Sequence, residues 1–184
     1  MQLIGELIHL RALEPDDLQC LYDWENDTSV WSVSGTVAPF SMFTLEEYLK
    51  QAHQDIYTTK QLRLMIDLTI SDDDDGELMN EHHSIGCIDL FDFDPRNKRA
   101  GVGVLIANRA QRGRGYATEA LHLLIDYSWN ILDLHQLYSH VRVDNENSLA
   151  LFKKLGFEIT GLKNDWLYES GRFYDEYTLQ LIRK

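Results

Sequence analysis

Three groups of side chains in this chain could do chemistry. The first is Arg112-Gly113-Arg114-Gly115-Tyr116-Ala117. Glycine lets a backbone turn tightly and approach a ligand closely. The first N–H groups of a helix carry partial positive charge, so a glycine turn feeding a helix can cradle a phosphate or pyrophosphate. The plain alternative is a turn entering a helix. The second group is Asp89 and Asp92. A carboxylate can act as a general base. Asp89 shares an alternating row with Ile85, Cys87, Phe91 and Phe93, so it is an acid among apolar neighbours and the stronger candidate for a perturbed group. Strict alternation puts Asp92 on the opposite face, and only a bulge would bring both to one site. The plain alternative is a strand acid bonded to a neighbour. The third group is Asn145, Ser148 and Phe152, which fall on one stripe of a helix. There Asn145 can be an N-cap, Ser148 a surface or capping residue and Phe152 core, or the stripe can border a ligand.

These residues need elements to hold them. A weakly alternating strand is expected over 3–12, then a helix starting at Glu14-Pro15-Asp16-Asp17. Residues 26–43 read as a loop. Thr44-Leu45-Glu46-Glu47 resembles a capping box for a second helix to about Ile56. Strands over 61–70 and from Ser84 to about Asp94 form a hairpin with a long polar connection. The acidic run Asp72 to Asp75 inside it reads as a solvated tip, because its spacing does not suit a calcium loop; His82 and His83 read as solvent-facing. A strand over 99–107 leads to the glycine turn. The helix from about Tyr116 to Leu132 is the clearest element, with Ala117, Ala120, Leu121, Leu124, Ile125, Ser128 and Ile131 on one stripe. A strand over 136–143 places Tyr138, His140 and Arg142 on one face. A short helix from Asp144-Asn145 to Gly156 follows, then strands at 157–160 and 173–182 around a turn at Trp166 to Arg172. The order is that of an α/β chain with helices on the faces of a mixed sheet.

Composition narrows the class. The 184 residues suggest one domain, 1–184, and 44% hydrophobic residues suffice for a core. A formal net charge of −13 disfavours nucleic acid and suits a cationic partner, or serves solubility alone. No stretch approaches the roughly 18 apolar residues of a membrane span, and the N-terminus lacks a leader pattern. Cys20 and Cys87 have no metal-ligand spacing and read as free thiols of a reducing compartment, which makes the expected location cytoplasmic. Trp24, Trp31 and Trp166 are candidate anchors for a homo-oligomer interface. The missing Lys-Ser/Thr disfavours a nucleotide-triphosphate loop, and the late glycines and the hairpins disfavour a dinucleotide fold.

Arg112-x-x-Gly115-x-Ala117, followed by Asn145-x-x-Ser148 and Lys154-Leu155-Gly156-Phe157 in this order of elements, resembles the GCN5-related N-acetyltransferases over essentially the whole chain. Gly115-Tyr116-Ala117-Thr118-Glu119-Ala120 fits both the spermidine N-acetyltransferase branch and the branch that acetylates ribosomal-protein N-termini. The resemblance implies a mixed, mostly antiparallel sheet with a V-shaped splay between two parallel strands. It implies acetyl-CoA as cosubstrate and no metal. Backbone from Arg112, Gly113, Arg114, Gly115, Tyr116 and Ala117 would hold the pyrophosphate. The backbone of Leu105 and Ile106 would line the pantetheine, with Asn145, Ser148 and Phe152 beside the leaving sulfur. Asp89 and Asp92 match acids of the spermidine enzymes, and Glu25 and Asp27 are weaker candidates for a substrate cation. The acceptor would be a polyamine or other small amine, or alternatively a protein N-terminus. A third reading keeps acyl-CoA binding with weak catalysis. It draws on two departures: Phe152 stands where many members carry a tyrosine acid, and Gly101 and Gly103 stand on the strand that often carries a glutamate. Ser148, a water or the amine's own proton could serve the leaving thiolate instead.

Overall fold

A computed structural model describes residues 3–69 and 84–184. The chain builds one seven-stranded sheet from β1 (Ile8–Arg11), β2 (Leu62–Leu68), β3 (Ser84–Asp94), β4 (Arg99–Ile106), β5 (Gln136–Arg142), β6 (Glu158–Glu169) and β7 (Arg172–Ile182). Their order across the sheet is β1-β2-β3-β4-β5-β7-β6. Every neighbouring pair is antiparallel except β4 with β5. That parallel pair is the expected place for a crossover helix, and α5 (Tyr116–Asn130) supplies it.

Strand alternation splits the apolar side chains between two faces. Leu64 and Ile66 of β2 join Ile88, Leu90, Val102 and Leu137 under α5 and α6 (Glu146–Lys154). Met65, between them, faces the other way and packs with Leu21 of α1 (Leu18–Glu25) and Leu45 of α3 (Met42–Gln51). Helices therefore cover both faces, as the sequence order predicts.

Local chemistry moves several boundaries. The first strand is only Ile8–Arg11; upstream, Ile4 makes a single bridge to His9. The stretch expected as a loop over 26–43 contains a helical turn, α2 (Trp31–Ser34), which Gly35 ends at φ 72°. The N-cap of α3 is Ser41, whose side chain accepts from the Thr44 amide, so the helix starts before Thr44. It stops at Gln51, and Asp55 caps a separate turn, α4 (Ile56–Thr59). β6 runs well beyond 160, because it pairs with β7 from Glu158 to Glu169 across two bulges. The readings of Asp72 to Asp75, His82 and His83 lie outside the described residues.

Candidate functional site

The glycine turn is built as its sequence suggests. Gly113 and Gly115 have φ of 76° and 94°, a region that disfavours L side chains. A Cβ on Gly113 would meet nothing within 4 Å, and one on Gly115 would meet only Leu7 Cδ1 at 3.6 Å. The turn is thus open to a ligand, and Gly115 is the N-cap of the 15-residue helix α5, which directs its first free amides there. Arg112 and Arg114 are exposed. Arg112 also turns back, and its Nε donates to the Ile106 carbonyl at 2.8 Å, tying the turn to the end of β4.

The turn opens onto a split in the sheet. β4 and β5 pair only at Arg99↔Gln136, Ala100↔Leu137 and Gly101↔Tyr138. Beyond Gly101 the strands diverge, so main-chain groups of Val102 to Ile106 that point away from β3 lack a ladder partner. Such groups need another partner; the Ile106 carbonyl takes Arg112. A cleft of about 630 Å³ follows the split. Leu105, Arg112, Asn145, Ser148 and Phe152 line it, whereas Ile106 is buried in the core and meets the site through its main chain. Asn145 is the N-cap of α6, its Oδ1 accepting from the Ser148 amide at 3.1 Å, and it borders the cleft as well. Phe152 is also both things: it is a cleft wall and a core residue packed edge-on against Phe157 at 5.0 Å.

Asp89 lines the front of the cleft, but not as an acid alone among apolar neighbours. It is the cross-strand partner of Arg63. Arg63 donates from Nε to Asp89 Oδ1 at 2.7 Å, from Nη2 to Oδ2 at 3.2 Å, and from Nη1 to Glu25 Oε1 at 2.6 Å. Glu25, the weaker candidate, thus belongs to the same cluster. Sequence alternation gives a face but no register, so the Arg63–Asp89 pair is invisible before the strands are aligned. Asp92 is brought round by a bulge between Phe91 and Asp94, with φ 48°. It is exposed and accepts from the Tyr138 hydroxyl at 3.2 Å, outside the residues that line the cleft. The bulge also turns Phe93 into the core, out of the row it shares on paper with Asp89. Asp27, the other weak candidate, is exposed and caps Ser29.

Further along, the cleft meets Ser139, His140, Arg142, Asp144 and Glu176. Arg142 Nε donates to Asp144 at 2.5 Å, and its Nη1 donates to Glu169. Lys163 donates to Glu176 at 2.8 Å. Cys87 lines the cleft floor, and burial followed by the Asp89 charge pushes its thiol up to about 12, so it stays protonated and is a poor nucleophile. Among the described residues no cluster could hold a metal ion, and no helix is long and apolar enough to cross a membrane. Of the three tryptophans named as candidate anchors, Trp166 is exposed. Trp24 is half-buried in the cleft wall, and Trp31 donates its indole N–H to the Glu25 carbonyl at 2.8 Å.

A sheet whose parallel pair is forced open above a glycine-rich helix entry defines a class of acyltransferase. Residues 8–158 match the family model described as an acetyltransferase (GNAT) domain, and the chain belongs to that family of enzymes. It is 26% identical over 174 residues to a spermidine N(1)-acetyltransferase of Vibrio cholerae, covering 95% of this chain and 92% of the relative. Over a shorter span of 99 residues it is 32% identical to a putative ribosomal N-acetyltransferase of Bacillus subtilis, covering 54% of each. A crystal structure of the Vibrio cholerae spermidine N-acetyltransferase with CoA and spermine superposes with a TM-score of 0.82 at 25% identity, over 97% of this chain and 96% of that one.

Proposed function

We propose that this chain transfers the acetyl group of acetyl-CoA, by direct attack, to a primary amine on a polyamine or similar small cation. One observation carries the reading: a single cleft is lined by Arg112 at the start of the glycine turn, by β4 residues along the β4–β5 split, and by the carboxylates of its front wall. Amides from Arg112 to Ala117 hold the pyrophosphate. The free main chain around Leu105 and the carbonyl side of Ile106 border the pantetheine. Asn145, Ser148 and Phe152 flank the sulfur from α6. An unpaired strand amide in the split can also stabilise the developing oxyanion.

Support for a cationic acceptor is of two kinds. The chain carries a formal net charge of −13, and Glu25, Asp89, Asp144 and Glu176 stand on the wall of the cleft. The Vibrio cholerae relatives act on or bind polyamines by name. Asp89 orients the acceptor from within the Arg63 cluster, and Asp92 steers it from the rim. Ser148 offers the proton to the leaving thiolate, a fair leaving group with a thiol pKa near 8–9. The free thiols Cys20 and Cys87 suit a cytoplasmic enzyme.

The test is calorimetry with acetyl-CoA, followed by turnover with spermidine and spermine against a panel of N-terminal peptides. The proposal expects coenzyme binding and polyamine turnover. Turnover of peptides alone would replace the polyamine by a protein N-terminus. Coenzyme binding without turnover on any amine would leave a binding module, and no binding would sink the reading.

A further inference from the structure

An ammonium acceptor must lose a proton before its nitrogen can attack. An alkylamine near pKa 10 leaves about one part in a thousand neutral at pH 7. The wall of the cleft offers four carboxylates, and a cation holds each of them. Arg63 takes Glu25 and Asp89, Arg142 takes Asp144, and Lys163 takes Glu176. Each of these carboxylates therefore already has an oxygen engaged by a cation. The wall also carries one imidazole, that of His140.

We infer that His140 is the general base of this enzyme, acting from β5 across the split in the sheet. The inference rests on the acetyltransferase reading above. His140 stands two residues beyond Tyr138, the last β5 residue paired with β4. It shares a strand face with Tyr138, whose ring meets Phe91 edge-on at 5.9 Å, and Phe91 shares its row with Asp89. His140 therefore faces the acceptor side of the cleft. Across the split, β4 presents Gly103. A Cβ there would meet nothing nearer than Phe91 Cε1 at 3.9 Å. The space is open, and β4 puts no side chain of its own into it.

The surroundings suit a base. Nδ1 lies 3.4 Å from Thr178 Oγ1, 3.5 Å from Lys163 Nζ and 4.0 Å from Glu176 Oε2. In the tautomer with Nδ1–H donating to Thr178 Oγ1, Lys163 donates its hydrogen bond to Glu176 and Nε2 is left as the acceptor. Burial and then the Lys163 charge lower the His140 pKa, while Glu176 and Asp92 act the other way. The balance keeps the ring neutral, and able to accept, at neutral pH. The acceptor ammonium gives one proton to Nε2 and from there to solvent. Its nitrogen pair forms the C–N bond as the thioester C–S bond breaks. The second N–H proton replaces the one Ser148 gives to the sulfur, so the products are the acetamide, the free thiol of CoA and one released proton.

The experiment compares wild type with His140→Gln and His140→Ala on spermidine across pH, with thermal melting as a check on folding. The expected loss in kcat is about 100-fold, with KM for acetyl-CoA held within about threefold. The wild-type kcat/KM should rise with pH through a midpoint below the ordinary imidazole value. That limb should be absent from both variants, and added imidazole should partly restore the alanine variant. Lys163→Met gives a second reading if the histidine variants unfold: removing a lowering charge should move the limb to higher pH. A His140→Gln enzyme within about threefold of wild type and with the same pH profile overturns the base. So does a Lys163→Met limb that does not move, if the histidine variants unfold. A wild type that acetylates no amine overturns the amine reading, and the base with it.

Discussion

Arg63 is the residue on which the acceptor wall turns. Its side chain is 17% exposed, and its two partners, Glu25 and Asp89, are 20% and 19% exposed. Removing the guanidinium leaves two carboxylates facing each other in a largely dry wall. Breaking a buried pair costs about 3–5 kcal/mol, and partial exposure here reduces that to about 2–3 kcal/mol. Arg63→Met should lower unfolding stability in urea by that amount at pH 7; a variant as stable as wild type would mean the cluster is solvated. Phe152 invites the opposite change. Its ring lines the cleft, and on the placement of the sulfur proposed above a phenol there could serve the leaving group. Phe152→Tyr should raise kcat about tenfold with little change in KM for acetyl-CoA. A fall in both rate and melting temperature would mean the added hydroxyl is trapped against Phe157. These residue roles were unequally legible. Asn145 could be read as an N-cap or a cleft residue, and it is both. The pairing of Asp89 could not be read, because nothing in the spacing of β2 fixes which residue meets Arg63.

At the scale of elements, Glu119 does what the glycine turn alone cannot. It lies in the first turn of α5, and its carboxylate accepts from the amides of Glu6, Leu7 and Ile8 at 2.8–2.9 Å. The start of β1 is thereby clamped beside the helix entry proposed above for the pyrophosphate. Gly5 exists for this contact: a Cβ there would fall 2.5 Å from the Glu119 carboxyl carbon. Glu119→Gln keeps one acceptor oxygen and loses the charge, so a stability cost of about 2 kcal/mol is expected, with weaker acetyl-CoA binding. Gly5→Ala should cost a similar amount by pushing the same carboxylate away. Because both act on one contact, the double variant should cost clearly less than the sum in a denaturation cycle. Additive costs would show two separate effects. The helix and the glycine turn were plain in the sequence, since a 3.6-residue stripe and a Gly-x-Gly have few alternative readings. Nothing in the sequence marks Glu119 out from the rest of the 115–120 run, because its partners lie more than 110 positions away. The bulge at Asp92 was likewise hidden. Alternation assumes a regular ladder, and only the structure shows Asp92 at positive φ.

For the whole molecule, the formal charge of −13 raises a question that the cleft does not answer by itself. The cleft acids are largely neutralised by Arg63, Arg142 and Lys163, so local pairing leaves little net attraction at the wall. A polycation would be gathered mainly by the field of the entire surface. Such a field is screened over about 10 Å at 0.1 M salt and about 3 Å at 1 M. If the acceptor is a polyamine, kcat/KM for spermidine should fall about tenfold between low and roughly 0.5 M salt, with kcat nearly constant. An acceptor carrying a single charge should lose much less, because the electrostatic work scales with its charge. Steady-state rates on spermidine and on a monoamine, measured side by side over that range, separate the two. A salt response equal for both acceptors would assign the excess acidity to solubility and would leave Glu25, Asp89 and their neighbours as the whole basis of acceptor choice.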